Sequence, residues 1–130
     1  MKVPNIYFVG KAGAGKSYAC QHVIEKYGYA LYKFAGPVYN IAKEQFGMVK
    51  KDRKLLQIVG KTGRAIDPNT WLNLFHKSIK NEVAPICCDD CRFINEHEFL
   101  KQIGFVGVYL KVSPEIRITR LTKRDGTAQK

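Results

Sequence analysis

Ile6-Tyr7-Phe8-Val9-Gly10-Lys11-Ala12-Gly13-Ala14-Gly15-Lys16-Ser17 is the stretch that decides this fold: an apolar run passes directly into the spacing G-x-x-x-x-G-K-S/T. A polyphosphate has to be wrapped at close range by backbone N–H groups, and residues with small or absent side chains permit that approach. Gly10, Gly13 and Gly15 give the room, while Lys11, Ala12 and Ala14 carry further amides of the same loop. Lys16 then brings a point charge to the β- and γ-phosphates, and Ser17 brings a hydroxyl to Mg²⁺. A helix starting there turns its positive N-terminal end toward the anion.

The flanks agree with this reading, because such a loop has to follow a strand and open a helix. Ile6 to Val9 are β-branched or aromatic without interruption, as in a buried parallel strand, and beyond Ser17 the residues Ala19, Val23, Ile24 and Tyr27 recur at helical spacing until Gly28.

Working outward, 130 residues with 45% apolar content make about one domain with one core. No apolar run approaches the ~20 residues that span a bilayer, and Pro4-Asn5 directly before the first strand lacks the layout of a cleaved signal. The expectation is a cytoplasmic protein with no membrane partner. The 4 cysteines, Cys20, Cys87, Cys88 and Cys91, then read as reduced thiols filling small core positions. A closed zinc site at Cys88-x-x-Cys91 lacks a second ligand pair. The 22 Lys and Arg against 11 Asp and Glu give a net charge of +11, which favours anionic partners. These cations are spread over residues 50–64 and 111–124 without a run or an interleaved aromatic array. That distribution favours phosphate clamps over a nucleic-acid-binding face.

Short apolar runs alternate with helical patterns, the order of a parallel sheet covered on both faces. Strands are expected at residues 30–34, 84–88 and 105–112 besides the first. Helices are expected from Pro37 to Phe46, from Asp52 to a loop at residues 60–64, and from Pro68, capped by Asp67, through Ile79. Another runs from Glu96 to Ile103 behind an Asn95 and Glu98 capping box, and a last one starts at Pro114. Residues 125–130 offer nothing to a core and are expected to fray.

Two clusters can serve phosphoryl transfer, which needs positive charge on the acceptor and on the moving group. Asp90-Cys91-Arg92-Phe93 follows the third strand, where open α/β sheets bind their ligands; a carboxylate there can reach Mg²⁺ or its waters and an arginine can grip an oxyanion bidentately. Of the Asp89-Asp90 doublet, Asp90 is the choice. The second cluster, Arg117, Arg120 and Arg124, lies three and four residues apart and shares one helix face.

Gly10–Ser17, Phe34-Ala35-Gly36-Pro37, Leu55-Leu56-Gln57-x-x-Gly60 with Gly63-Arg64, Trp71, and Asp90-x-Arg92-Phe93-x-Asn95-Glu96 together resemble the deoxynucleoside monophosphate kinases of bacteriophages. That resemblance implies an α/β, three-layer P-loop fold with a parallel sheet in the order 2-3-1-4 and a fifth strand apparently missing. Residues 1–130 would form a single kinase domain, with a helical acceptor-binding insert at about 37–81 and a lid-like helix at about 114–124. It implies transfer of the γ-phosphoryl group of ATP, with Mg²⁺, onto a (deoxy)nucleoside monophosphate in the host-cell cytoplasm. Lys16, Asp90, Arg92, Arg120 and Arg124 would act in catalysis, and Gly10 to Ser17 with Arg117 would hold ATP. Arg64, Trp71 and Arg92 would bind the acceptor, and Ser17 and Asp90 the metal. The alternative is an impaired remnant that binds nucleotide or a host protein. The strand at residues 105–112 is apolar on both faces, so an uncovered edge there invites a homodimer.

Overall fold

Side-chain alternation along two short strands sets the two faces of the sheet. In β1 (Ile6–Val9) Tyr7 and Phe8 are both buried, and in β3 (Ile86–Cys88) so are Cys87 and Cys88. With a period of two residues, Tyr7 and Cys88 enter one core and Phe8 and Cys87 the other. The computed structural model describes residues 3–125.

Four parallel strands pair in the order β2-β3-β1-β4, with β2 at Ala30–Leu31 and β4 at Val106–Tyr109. On one face, α1 (Lys16–Tyr27) packs Cys20, Val23 and Ile24 against Phe8 and Cys87. On the other, α4 (Thr70–Ile79) and α5 (Ile94–Gln102) deliver Leu72, Phe75 and Leu100 onto Tyr7 and Cys88, and Phe34 stacks on Phe75 at 4.2 Å between ring centroids. The hydroxyl of Tyr7 reaches His97 Nδ1 at 2.7 Å, so this fully buried phenol is not left unpaired. A third cluster, Val38, Val59 and Trp71, joins α2 (Gly36–Phe46), α3 (Arg53–Ile66) and α4 into a helical insert. The last helix, α6 (Pro114–Asp125), starts where Ser113 Oγ accepts from the Ile116 amide.

Several boundaries differ from those expected. β2 ends at Leu31 rather than at residue 34, because the amides of Phe34 and Ala35 turn away to the Asp90 carboxylate. β4 stops at Tyr109 rather than at residue 112. The segment 60–64 is not a loop: α3 runs through it to Ile66, since Gly60 and Gly63 make the helix surface on which Trp71 lies. A Cβ on Gly63 would come within 2.4 Å of the Trp71 ring. Asp67 ends α3 instead of capping α4, which starts at Thr70, whose hydroxyl donates to the carbonyls of Gly63 and Asp67. At α5 the reach-back residue is Glu96, accepting from the amides of Arg92 and Phe93; Asn95 instead donates to Pro68 O and Asn69 Oδ1. Of the stretch expected to fray, Asp125 closes α6 and residues 126–130 lie outside the described residues. Among the described residues no helix is long and apolar enough to cross a membrane.

Candidate active site

The loop between β1 and α1 is held open by left-handed backbone at Gly13 (φ 82°) and Gly15 (φ 96°), a region that side chains disfavour. Ala14 N donates to Lys11 O at 3.0 Å within the loop, and Gly15 gives the first helical carbonyl, to Ala19 N. Lys16 folds its ammonium onto Gly10 O at 2.8 Å. In front of the loop lies a cavity of about 340 Å³ lined by Gly13, Gly15, Lys16, Ser17, Asp89, Asp90, Arg92 and Arg120, among others. Ala12 also faces it.

The two neighbouring carboxylates have different duties. Asp90 accepts from Phe34 N at 2.9 Å through one oxygen and from Ala35 N at 3.0 Å through the other, and the Cys88 thiol donates to it as well. It ties β3 to the start of α2. Asp89 is buried at 6% exposure, and its Oδ1 accepts no hydrogen bond although Lys33 Nζ lies 3.1 Å away, off the hydrogen-bonding direction. A buried carboxylate oxygen without an aligned donor fits a cation site. Ser17, which lines the same cavity, supplies the complementary hydroxyl. Both oxygens of Asp90 are thus engaged by the backbone, whereas Asp89 has the Lys33 ammonium as its neighbour, and both carboxylates line the cavity that Ser17 lines. Burial pulls the Lys33 pKa down, and the Asp89 contact, with Asp90 behind it, raises it by more, so the ammonium stays firmly charged.

A second cavity, of about 320 Å³, opens between β3 and the helical insert, and Asp90 and Arg92 line both cavities. Its walls carry Arg64, Trp71 and Arg92, three residues read from the sequence as acceptor contacts, with Lys51, Arg53, Tyr39 and Phe93. The Arg64 guanidinium lies 5.0 Å from the centre of the Phe93 ring. Trp71 is 5% exposed and its Nε1 donates to Gly60 O at 2.9 Å, so it shapes the wall from within the insert core. Glu96 sits behind Phe93; burial raises its pKa, and the two backbone amides it accepts offset part of that.

Arg120 Nη1 donates to Gly13 O at 3.1 Å and reaches over the phosphate loop. Arg117 lies apart from it, beside Lys11, Tyr109 and Pro114 in a smaller cavity of about 210 Å³, its backbone against Gly13. Arg124 belongs to α6, and its side chain lies outside the described part of the structure. The structure thus gathers Lys16, Ser17, Asp90, Arg92 and Arg120 around one cavity and leaves Arg117 in another. Sequence reading missed Lys33 and Lys51, whose signal is weak: ordinary residues in the short segments before α2 and α3. All four cysteines are buried and free, and burial is the main cause that pushes their thiols up, Cys91 to about 12.

The AAA domain family (AAA_18) matches residues 6–130. The chain belongs to that family. Two herpesvirus proteins are similar to this AAA domain: Uncharacterized protein ORF76 of Ictalurid herpesvirus 1 (strain Auburn), 29% identical over 108 residues, 78% of this chain and 45% of that one; and Uncharacterized protein ORF77 of the same virus, 29% identical over 120 residues, 85% and 51%. The chain spans about half the length of these curated relatives. Among solved structures it resembles a gluconokinase from Sinorhizobium meliloti 1021 (TM-score 0.56, 21% identity, 97% of this chain and 67% of that one). It also resembles TT1252 from Thermus thermophilus (0.64, 17%, 98% and 75%) and the shikimate kinase from Acinetobacter baumannii in complex with shikimate (0.60, 23%, 96% and 65%). The AAA domain therefore has a kinase-like P-loop α/β fold with strand order 2-3-1-4. The relatives found are herpesvirus proteins and the structural likeness reaches the fold alone, so the bacteriophage resemblance remains one of motifs.

Proposed function

We propose that this AAA domain transfers the γ-phosphoryl group of ATP to a nucleoside monophosphate, as the motif resemblance to bacteriophage deoxynucleoside monophosphate kinases suggests. The observation that carries the reading is the shared wall: Arg92 lines both the phosphate cavity and the insert cavity, so a donor in one and an acceptor in the other would meet at its guanidinium. The loop amides and Lys16 hold the β- and γ-phosphates. Ser17 and Asp89 would hold Mg²⁺, which when bound supplies charge neutralisation on the phosphate oxygens. An oxygen of the acceptor phosphate attacks the γ-phosphorus, the bond to the β-phosphate oxygen breaks, and ADP leaves. Arg92 and Arg120 take up charge on the moving group.

The insert cavity favours a phosphate acceptor over the hydroxyl acceptors of gluconokinase and shikimate kinase. A hydroxyl has to lose a proton to a base, whereas an acceptor phosphate arrives ionised. Asp90 and Glu96 are the carboxylates lining that cavity, and both already accept backbone N–H bonds. Four cations, Lys51, Arg53, Arg64 and Arg92, face them. The test is ADP release from ATP across the common ribo- and deoxynucleoside monophosphates, with gluconate and shikimate beside them. Release with one monophosphate names the acceptor. Release with gluconate or shikimate alone overturns the acceptor class, and ATP binding without release in any case moves the domain to nucleotide binding without transfer.

A further inference from the structure

Among the described residues Lys33 is the one cation that ion-pairs with the buried carboxylate of Asp89, and it belongs to no part of the mechanism above. Its position is fixed from both sides. Tyr32 N donates to Cys87 O, Phe34 N and Ala35 N donate to Asp90, and Gly36 N closes a turn onto Lys33 O. A backbone pinned this firmly leaves its side chain as the movable part. The ammonium lies 3.1 Å from Asp89 Oδ1, with side-chain exposures of 42% for the lysine and 3% for the aspartate. It also lines the cavity in front of the phosphate loop. A carboxylate this deeply buried is costly to leave uncompensated. Asp89 lines that cavity too, so a divalent ion drawn to the same carboxylate would come close to the ammonium, and the two cations would repel each other.

We infer that Lys33 is a built-in placeholder for the metal: it neutralises Asp89 while no metal nucleotide is bound and yields that carboxylate when one arrives. This rests on the nucleotide-binding reading of the phosphate cavity. Displaced from Asp89, the ammonium stays within the cavity, where the polyphosphate is the nearest anion, so one lysine serves two partners in turn. The exchange also separates metal-bound from metal-free nucleotide, because metal-free nucleotide leaves the lysine on Asp89.

The consequence is a coupling that can be measured without turnover. The affinity of Mn²⁺·ADP is compared with that of ADP in the presence of a chelator, by calorimetry, for wild type, Lys33→Met and Lys33→Arg, and for both lysine variants in an Asp89→Asn background. Removing the lysine leaves Asp89 uncompensated until metal binds, so Lys33→Met raises the preference for the metal-bound form by roughly tenfold or more. Lys33→Arg restores the wild-type ratio, and with Asp89→Asn the lysine substitutions no longer change it. A merely structural role would weaken both forms equally and leave the ratio unmoved. If wild type binds Mn²⁺·ADP and the ratio is the same in Lys33→Met, the placeholder is overturned alone. If wild type binds neither form, the nucleotide reading falls and the placeholder with it. Should Lys33→Met not fold, the Lys33→Met/Asp89→Asn protein, which has neither charge, and Lys33→Arg still decide: a ratio for Lys33→Arg equal to that of the double variant overturns the inference.

Discussion

At the scale of single residues, Arg92 carries the most chemistry and the least structure. Its side chain is exposed and faces both cavities, and among the described residues only its backbone amide is committed, to Glu96. Arg92→Ala is therefore expected to keep its melting temperature and lose on the order of 10³–10⁵ in kcat/KM if the arginine stabilises the moving phosphoryl group. An unchanged kcat/KM would return it to the surface. The thiols make the opposite case. Burial is the main cause holding Cys20, Cys87, Cys88 and Cys91 above the ordinary thiol range, so the reactive thiolate is suppressed at pH 8 and no side chain is open to reagent. Alkylation by iodoacetamide is expected to follow global unfolding, and fast labelling of native protein at pH 8 would contradict it. Residue types and motif spacing made Lys16, Ser17 and Arg92 legible in the sequence. The different surroundings of Asp89 and Asp90 were not legible, because they turn on which carboxylate meets the amides of Phe34 and Ala35, more than 50 positions away in the chain.

At the scale of elements, the strand and helix order was readable from periodicity, whereas boundaries went wrong where tertiary contacts overrule local signals. α3 is the instructive case. Gly60 and Gly63 look like a break, yet they lie inside the helix: the Trp71 indole occupies the space a side chain on Gly63 would fill, and its N–H bonds Gly60 O. Gly63→Ala places a methyl 2.4 Å from the Trp71 ring, and the rest of the insert has to shift. The helical preference for alanine, up to about 1 kcal/mol, is outweighed by overpacking of typically about 1–3 kcal/mol. Net destabilisation in urea, together with weaker binding of the acceptor, is the expected result; a stabilised Gly63→Ala protein would show that the indole moves aside freely. Gly47 ends α2 in the left-handed region as its place after Phe46 suggests, so a glycine signal is reliable at a helix end and ambiguous within one.

At the scale of the whole molecule, parallel order collects the strand ends that hold the loop, Asp89, Asp90 and Lys33 along one rim, which is why motifs distant in sequence share a cavity. The same order puts β4 at an edge, paired with β1 alone among the described strands, with Val106 48% and Tyr109 64% exposed. Such an edge is a template for pairing, so we expect concentration-dependent self-association that a Val106→Lys substitution suppresses. Sedimentation velocity over a wide concentration range decides it, a strictly monomeric protein being the contrary result. One contact described above bears on how fast the site fills. Gly13, in the phosphate loop, touches the backbone of Arg117 so closely that an added Cβ would lie 2.7 Å from its carbonyl, and Arg120 bonds the Gly13 carbonyl. The loop and α6 thus meet through a latch of one hydrogen bond and one close backbone contact, and we expect a polyphosphate to take the loop amides fully once that latch opens. Under stopped-flow mixing the observed binding rate should then level off as nucleotide concentration rises, at the opening rate of the latch, and Arg120→Ala should lift that plateau.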